Sequence, residues 1–384
     1  MPTARHALDG LRVLSIGHTY PGLYCMAILR DLGARIVRIE RVGEGTVDPK
    51  YEGLGGMIST DSLKAGTSEC RLDLKQPKGR EVYHLLARKA DVILEGFRPD
   101  VADRLGIGFK SLARKNKKLI YAAISGYGQQ GAWRMRPGHD LNYLADAGVL
   151  NLSGDPGGPP ATEGVTVADC TAGLNAAINI LAAIQLRQRT GKGQFLDLAI
   201  VDGPLFLMAA EFEHSWRTGD SRNKGAIHFT GRYPWYGLYE TKDGRHLSVG
   251  AIEAGFYANL CRLIGRPDLE TKRFVSKDEL PAVRGEFAKA FKQKTLEEWT
   301  RLFEGQDVCI SPVLTTAETL ASPLGKRIVR PGAPKGVKLV RSPVRAPLAK
   351  LQGIRFTSQV LREYGFTAAE VRALQGAGAV GKDS

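Results

Sequence analysis

Short apolar runs alternate with helix-length amphipathic stretches through the first half of the chain. The runs at 11–16, 35–39, 91–95, 119–125 and 194–200 have the length and residue types of buried strands. Helical patterns occupy 21–33, 79–89 and 171–189, and the first of them begins at Pro21 and ends at Gly33. Because strands separated by helices pair in parallel, this pattern predicts a doubly wound, mostly parallel, Rossmann-like α/β sheet.

The pattern changes in the second half of the chain. Residues 151–166 are rich in glycine and proline and predict a loop, and the polar segment 214–225 predicts a linker. Strand patterns at 235–239 and 246–249 flank an Asp243-Gly244 turn, and helical patterns follow at 254–264 and 295–304. The predicted organisation is a large α/β domain, a linking helix and loop, a smaller α+β domain, and a return segment that completes the large domain: 1–200, 201–225, 226–325 and 326–384.

Composition limits the class of protein. The chain has 384 residues, 43% hydrophobic and 24% charged, which is ordinary for a globular protein. No apolar run approaches the roughly 20 residues that a membrane span requires, so we expect no membrane association. The five cysteines are widely spaced and form no CxxC pair. This spacing predicts a reducing, cytoplasmic location and no metal site.

The net charge of +14 requires an explanation. Nucleic-acid-binding proteins concentrate basic residues in one stripe with interleaved aromatic residues. Here lysine and arginine are spread along the chain in short clusters, which argues against nucleic acid and favours solvated surface charge, for most of these residues, together with a small polyanionic ligand.

The first strand–helix turn, Gly17-His-Thr-Tyr-Pro-Gly22, lacks the GxGxxG spacing of dinucleotide-binding proteins. Where such proteins carry an acid for the ribose, the second strand has Arg38, although Glu40 follows. An arginine at this position suits a phosphate or a stacked adenine, and the alternative is a plain surface cation.

Separated titratable residues suggest acid–base chemistry. Asp169 precedes an alanine-rich helix, His139 and Asp140 precede an apolar run, and Glu253 ends Val249-Gly-Ala-Ile-Glu253. Locally, each aspartate is as well explained as a helix N-cap and Glu253 as a plain surface carboxylate, and His139 standing alone does not establish a catalytic role. No GxSxG, Walker or HExxH motif is present.

Several longer blocks carry a resemblance that the single residues do not. They are LDGLRVLSIGHTYPGLYCMAILRDLGARIVRIER, RLDLKQPKG, ADVILEGFRPDVADRLGIG, SGYGQQG, GHDLNYLADAGVL, RTGKGQFLDLAIVDG, VGAIEAGFY and DVCISPVL. In this order, from about residue 8 to 375, the chain resembles the superfamily of family III CoA-transferases and α-methylacyl-CoA racemases.

The resemblance implies an interlocked homodimer that binds acyl-CoA on its large domain and uses no further cofactor. Asp169 matches the active-site aspartate of the family. Arg38 resembles the arginine on the adenine side, and Arg98 and Arg104 resemble the pair on the phosphate side. The family's Gly-Lys-Arg appears here as Gly66-Thr-Ser68, so Lys64 is expected to supply the missing charge.

The superfamily contains two chemistries. GHDLNYLA and VGAIE resemble the racemase branch, which implies His139 as second proton carrier, Glu253 as its orienting partner, and Asp140 within the catalytic set. In the alternative, a CoA-transferase, Asp169 is a nucleophile that carries the acyl group and then CoA. A non-enzymatic acyl-CoA-binding protein is the remaining alternative.

Two features depart from the racemase pattern. Cys170 follows Asp169 where racemases tend to carry an aromatic residue. The segment 229–236, which includes Arg232, replaces a small Asp-Gly-Gly segment and indicates a smaller or acidic acyl group.

Overall fold

The computed structural model describes residues 6–43, 60–333 and 337–383. The strands are β1 Arg12–Ile16, β2 Arg35–Arg41, β3 Ser68–Leu72, β4 Val92–Glu95, β5 Ile120–Ser125, β6 Gln194–Ala199, β7 Tyr236–Glu240, β8 His246–Gly250 and β9 Ile310–Pro312. The first nine helices are α1 Tyr20–Asp31, α2 Asp61–Lys64, α3 Pro77–Arg88, α4 Val101–Arg104, α5 Phe109–Ala113, α6 Asp140–Asp146, α7 Val149–Leu152, α8 Val167–Thr190 and α9 Asp202–Leu207.

The remaining helices belong mainly to the second half of the chain. They are α10 Ala209–Thr218, α11 Ala254–Leu263, α12 Leu280–Phe291, α13 Leu296–Phe303, α14 Thr316–Ala321, α15 Pro323–Ile328, α16 Thr357–Glu363 and α17 Ala368–Gly376. Short 3-10 helices span His228–Thr230 and Pro267–Lys272.

Six strands form one parallel sheet in the order β3-β2-β1-β4-β5-β6, which confirms the predicted doubly wound α/β architecture. The edge strand β3 has no counterpart in the predicted strands. Its sequence, SECRL, buries Cys70 and Leu72 alone, so it lacks the apolar run that marks the central strands.

The chain divides into two compact units. The first contains 1–147, 165–206 and 327–384, and the second contains 148–164 and 207–326. Residues 148–164, which the sequence pattern places in the large domain, group with the second unit. Two contacts within that unit explain the grouping: the Asn151 amide donates to Asn223 Oδ1 at 2.9 Å, and a Cβ on Gly225 would lie 2.9 Å from the Pro156 ring.

The hydrophobic core of the first unit contains residues of the parallel sheet and of the last two helices, α16 and α17. Val360, Leu361 and Val371 from α16 and α17 are at most 3% exposed and pack with Leu14 and Ile39 of the central strands. In the second unit, the antiparallel sheet β7-β8-β9 packs with helices around aromatic side chains: Trp235, Tyr239, Phe287, Phe291 and Trp299.

Helix α8 is long and apolar. Of the helices that the structure describes, it alone has the length and composition to cross a membrane, so the prediction that no apolar run approaches this length was wrong here. The helix packs against α1, β5 and β6, and its small residues Ala172, Ala176 and Ala177 are buried there. Burial in the first unit therefore accounts for much of its apolar character.

A buried ion cluster joins α1 to the return segment. Asp31 is fully buried, and its Oδ1 accepts hydrogen bonds from Arg30 Nε at 2.9 Å and Arg330 Nε at 3.0 Å. Burial alone would raise the pKa of Asp31, but the two arginines and the hydrogen bond from Ser342 outweigh burial and lower it. Arg330 also donates to the carbonyl of Ala349 at 2.6 Å, so the cluster holds the return segment on α1.

We predict that Arg330→Met lowers the free energy of unfolding by about 3 kcal/mol, because it leaves the buried Asp31 with one arginine instead of two. The matched control is Arg301→Met, which removes an exposed ion pair with Glu297 and is expected to cost less than about 1 kcal/mol. Urea unfolding measures both. Equal costs for the two variants would contradict a stabilising role of the cluster.

Candidate active site

The strand order places a crevice where the sheet changes direction. β1 lies between β2 and β4, and its last residue, Ile16, pairs with Ile39 on one side and Glu95 on the other. The loops that leave β1 and β4 are in close contact, since a Cβ on Gly96 would lie 2.1 Å from the carbonyl oxygen of Gly17. In open α/β sheets, ligands bind at this switch point, outside the carboxyl ends of the strands.

A cleft of about 410 Å³ opens at this edge, within the first unit. Its polar lining consists of guanidinium, imidazole, amide and hydroxyl groups: Arg98, Arg134, Arg136, His139, Asn142, Thr19, Ser125 and Tyr143. The Thr19 hydroxyl is buried and has no hydrogen-bond partner among the described residues. A basic cleft with several hydroxyl groups suits a small anionic ligand.

Asp169 lies in the first turn of α8, which begins four residues earlier than the sequence pattern predicts. The N-cap position belongs to Thr166, so the local interpretation of Asp169 as the N-cap was wrong. Instead, the backbone N–H of Asp169 donates to Asp140 Oδ1 at 2.9 Å, which brings the two predicted aspartates together. Burial and then the charge of Asp140 raise the pKa of Asp169 to about 7.

Helix α1 packs directly on α8 beside Asp169. A Cβ on Gly173 would lie 2.5 Å from Tyr24 Cβ and 2.8 Å from the carbonyl oxygen of Pro21, so no side chain separates the two helices. Tyr20 and Asp169 each lie one turn earlier than Tyr24 and Gly173. Burial, the neighbouring Tyr24 and Asp169 raise the pKa of Tyr20. Tyr20 is not among the predicted site residues, although its position right after the β1 loop is a signal that points to it.

Tyr143 holds the loop that carries His139. Its hydroxyl donates to the carbonyl of Gly138 at 2.7 Å, and a Cβ on Gly126 or Gly138 would lie within 2.8 Å of the side chain. Burial and the charge of Asp169 raise the pKa of Tyr143 to about 12. Tyr143 is not among the predicted site residues either, because its contacts with Gly126 and Gly138 depend on the fold.

His139 stands at the N-cap of α6, and Asp140 follows in the first helical turn, so the interpretation of Asp140 as that cap was wrong. The backbone N–H of His139 donates to Asn142 Oδ1 at 3.0 Å, and the side chain is exposed in the cleft. Within the described ranges no hydrogen bond or ion pair joins His139 to Asp169 directly. Asp140 is the residue that links the two segments.

The chain is similar in sequence to known proteins. Residues 8–345 match the sequence profile of CoA-transferase family III. The chain belongs to this family. It is 34% identical to human alpha-methylacyl-CoA racemase over 378 residues, covering 96% of each chain. It is also 32% identical to the acetyl-CoA:oxalate CoA-transferase of Acetobacter aceti over 329 residues, covering 82% of each.

A solved structure of the same kind supports the fold. The crystal structure of a CAIB/BAIF family protein from Brucella suis superposes with a TM-score of 0.81 at 25% identity. The superposition covers 94% of this chain and 100% of that one. Relatives with racemase and transferase names both occur at about 30–34% identity, so family membership leaves the choice between the two reactions open.

The arginine expected on the adenine side in this family is already paired. Arg38 is 8% exposed, and it donates to Thr67 Oγ1 at 3.0 Å, to Glu69 at 3.1 Å and to Glu40. The alternative of a plain surface cation was therefore wrong. Burial alone would raise the pKa of Glu40, but its hydrogen bond with His18 and the charges of His18, Arg38 and Lys64 lower the pKa to about 2.

The other predicted nucleotide-side residues lie at different places on the first unit. Lys64 ends α2 and acts electrostatically on Glu40 of β2, whereas Arg104 ends α4 and is exposed. Arg98 lines the cleft beside His139. The structure thus brings Arg98 together with His139 and places Lys64 with Arg38.

Glu253 belongs to the second unit. It is exposed at the N-cap of α11, and the loop before it is tied to the aromatic segment by a hydrogen bond from Ala251 N to the carbonyl of Trp235 at 2.9 Å. Arg232 in the same unit lies over the ring of Tyr233, 5.2 Å from its centroid. Within the described ranges no group of three or more His, Cys, Asp or Glu side chains is arranged to hold a metal.

We predict that Asp169→Asn stabilises the protein at pH 8 and does so to a smaller extent at pH 5. Because the pKa of Asp169 is about 7 in the folded chain and about 4 in an unfolded one, the folded state retains a proton between these values that the unfolded state releases. The free energy of unfolding therefore falls as pH rises through this window. The asparagine side chain of the variant does not titrate, so the variant does not lose this stability.

Thermal unfolding at pH 5 and pH 8 measures the effect. The melting temperature of Asp169→Asn should exceed that of the wild type by about 2–5 °C at pH 8. Asp140→Asn keeps an oxygen acceptor for the Asp169 N–H but removes the charge that repels Asp169. Since burial of Asp169 remains, this variant should raise the melting temperature at pH 8 by less than Asp169→Asn does. A pH-independent difference for Asp169→Asn would contradict the raised pKa.

Proposed function

We propose that the chain is a racemase or epimerase of 2-methyl-branched acyl-CoA thioesters. The observation that carries this proposal is the contact between two aspartates: the Asp169 N–H donates to Asp140 Oδ1 at 2.9 Å, and burial and the charge of Asp140 raise the pKa of Asp169 to about 7. A carboxyl group with this pKa exists in both protonation states near neutral pH, as a group that alternately removes and returns a proton requires. Acyl-CoA is the substrate, and no further cofactor takes part.

In the proposed reaction, one of the two proton carriers, Asp169 or His139, removes the proton from the α-carbon. The electron pair of the broken C–H bond moves into the thioester to form an enolate, and the other carrier donates a proton to the opposite face. Asp140 has a positioning role, since it holds the Asp169 backbone and raises the pKa of Asp169. From the family resemblance we assign Glu253 to orienting His139.

The alternative is transfer of CoA between carboxylic acids, with Asp169 as nucleophile. This alternative draws support from the relatives that carry transferase names. Nucleophilic attack requires the ionised carboxylate, whereas proton transfer in both directions uses the protonated and the ionised form of Asp169. A non-enzymatic acyl-CoA-binding protein would not require a carboxyl group whose pKa is raised toward neutral pH.

Proton exchange tests the proposal. In deuterated water with 2-methylbutanoyl-CoA, the wild type should incorporate deuterium at the α-carbon, followed by NMR. Asp169→Ala should abolish exchange, and His139→Ala should lower it at least about 100-fold, because general acid–base groups contribute about 10²–10⁴-fold. Absence of exchange in the wild type, together with a trappable acyl or CoA adduct on Asp169, would establish transfer instead.

We also propose a cytoplasmic homodimer. The cysteines are free, which suits a reducing compartment. Large apolar side chains are exposed on the first unit, among them Ile178 of α8 at 62% and Phe206 of α9 at 81%. Exposed apolar residues of this size favour a protein interface, and the family resemblance identifies a second copy of the chain, interlocked with the first, as the partner.

Light scattering coupled to size exclusion tests the dimer. The wild type should elute at twice the chain mass of 41.7 kDa, and the Ile178→Glu, Phe206→Glu double variant should shift toward the monomer because it places charges in the interface. The Ile178→Ala variant is the control and should stay dimeric. A monomeric wild type at micromolar concentration would contradict the proposal.

A further inference from the structure

A carboxyl group is buried at the carboxyl end of β4, and the reaction proposed above does not use it. Glu95 is 4% exposed and lies between Ile16 of β1 and Ala123 of β5 in the sheet. Because side chains alternate along a strand, Glu95 shares a face of the sheet with Ile93, which belongs to the hydrophobic core. No lysine, arginine or histidine forms an ion pair with it in the ranges that the structure describes. An ionised carboxyl group costs free energy in such surroundings unless hydrogen bonds compensate for it.

A backbone hydrogen bond is the main contact that favours the ionised form of Glu95. Its Oε1 accepts the backbone N–H of Phe97 at 2.5 Å, and the Tyr121 hydroxyl donates to Oε2 at the longer distance of 3.5 Å. Two other groups act on the carboxyl electrostatically: the phenol of Tyr83 in α3 and the carboxylate of Asp103 in α4. The Tyr83 hydroxyl is buried and has no hydrogen-bond partner among the described residues, and Asp103 repels the ionised form.

The protonation state of Glu95 changes near neutral pH. Burial raises the pKa of Glu95 to about 7, although the hydrogen bonds from Phe97 and Tyr121 act in the opposite direction. As pH falls through neutrality, the carboxylate takes up a proton and then accepts the Phe97 N–H as a neutral group. A hydrogen bond to a neutral acceptor is about half as strong as one to an ionised acceptor. The hydrogen bond that fixes Phe97 therefore weakens in acid.

Phe97 connects this hydrogen bond to the cleft. A Cβ on Gly17 would lie 2.8 Å from the Phe97 ring, so the ring packs directly on the loop that leaves β1. Phe97 and the next residue, Arg98, both line the cleft of about 410 Å³. Since Arg98 follows Phe97 in the chain, the backbone that Glu95 holds also determines where Arg98 enters the cleft.

We propose that Glu95 is a positioning residue for the binding of CoA: its carboxylate fixes the loop after β4 through the Phe97 N–H, and protonation of the carboxyl group loosens that loop and weakens binding. This inference rests on the acyl-CoA activity proposed above and on the family resemblance that assigns Arg98 to the phosphate side of CoA. Glu95 does not line the cleft and acts only through the loop. It gives binding a pH dependence that is separate from the proton transfers of the reaction.

Binding of free CoA at pH 6 and pH 8, measured by titration calorimetry, tests this role. The ratio of the Kd of Glu95→Gln to the Kd of the wild type cancels the titration of CoA and of the other protein groups. At pH 8 the wild-type carboxyl group is mostly ionised whereas the amide is neutral, so this ratio should be about 5. At pH 6 both side chains are mostly neutral, and the ratio should fall to about 1. Glu95→Asp keeps a carboxylate that can accept the N–H two residues on, so its ratio at pH 8 should stay below about 2.

The matched control is Glu81→Gln, an equal charge change at an exposed position of α3, and it should bind CoA as the wild type does at both pH values. Circular dichroism confirms that each variant is folded. A second measurement needs no ligand. Hydrogen–deuterium exchange of the Phe97 amide, corrected for the intrinsic pH dependence of exchange, should show about 5-fold more protection at pH 8 than at pH 6 in the wild type. In Glu95→Gln the protection should be equal at the two pH values.

Any of three results would overturn the role of Glu95. In the first, Glu95→Gln weakens CoA binding by the same factor at pH 6 and pH 8, which indicates a general loss of structure rather than the loss of a charge. In the second, Glu95→Gln binds CoA as the wild type does at both pH values. In the third, the protection of the Phe97 amide in the wild type does not change with pH. The racemase proposal fails on a different observation, the absence of α-proton exchange in a wild type that binds CoA.

Discussion

The reversal of strand order at β1 is the constraint on which the candidate site depends. In a parallel sheet each strand ends at the same edge, and β1 has neighbours whose connections lead away in opposite directions. The loops after β1 and β4 therefore start side by side and then diverge. Where they start, Gly96 and Gly17 are in close contact, just before α1 begins. The cleft, Asp169 and the loop of His139 all lie along this edge.

Burial has opposite consequences at two aspartates of the first unit. Asp31 is enclosed by Arg30 and Arg330, and these cations lower its pKa despite complete burial. Asp169 is placed beside Asp140, so burial and repulsion act in the same direction and raise its pKa to about 7. The first arrangement holds the return segment on the fold, whereas the second creates a carboxyl group that exchanges protons near neutral pH.

The strands of the large sheet could be predicted wherever burial on both faces demands an apolar run. β3 could not, because an edge strand with a polar sequence satisfies its hydrogen bonds without such a run. The predicted start of α8 was four residues too late because Asp169 has the residue type of an N-cap. In the structure Asp169 lies inside the first turn, and its backbone N–H is bound by a carboxylate oxygen of Asp140 from another segment. Likewise, the Tyr143 side chain packs against Gly126 and Gly138, where a Cβ atom would clash with it, and these two glycines are not adjacent in sequence.

The sequence by itself determined the parallel α/β architecture, through the spacing of apolar residues, and the family, through blocks of residues that occur in one order. It also named Asp169, His139 and Asp140, whose catalytic role rested on those blocks, because each aspartate taken singly was as well explained as a helix cap. Only the tertiary structure decided that Asp140 contacts Asp169, that Arg38 is paired and that Arg98 lines the cleft. A side chain's pKa and its available charge depend on neighbours from other segments, and folding alone brings those neighbours together.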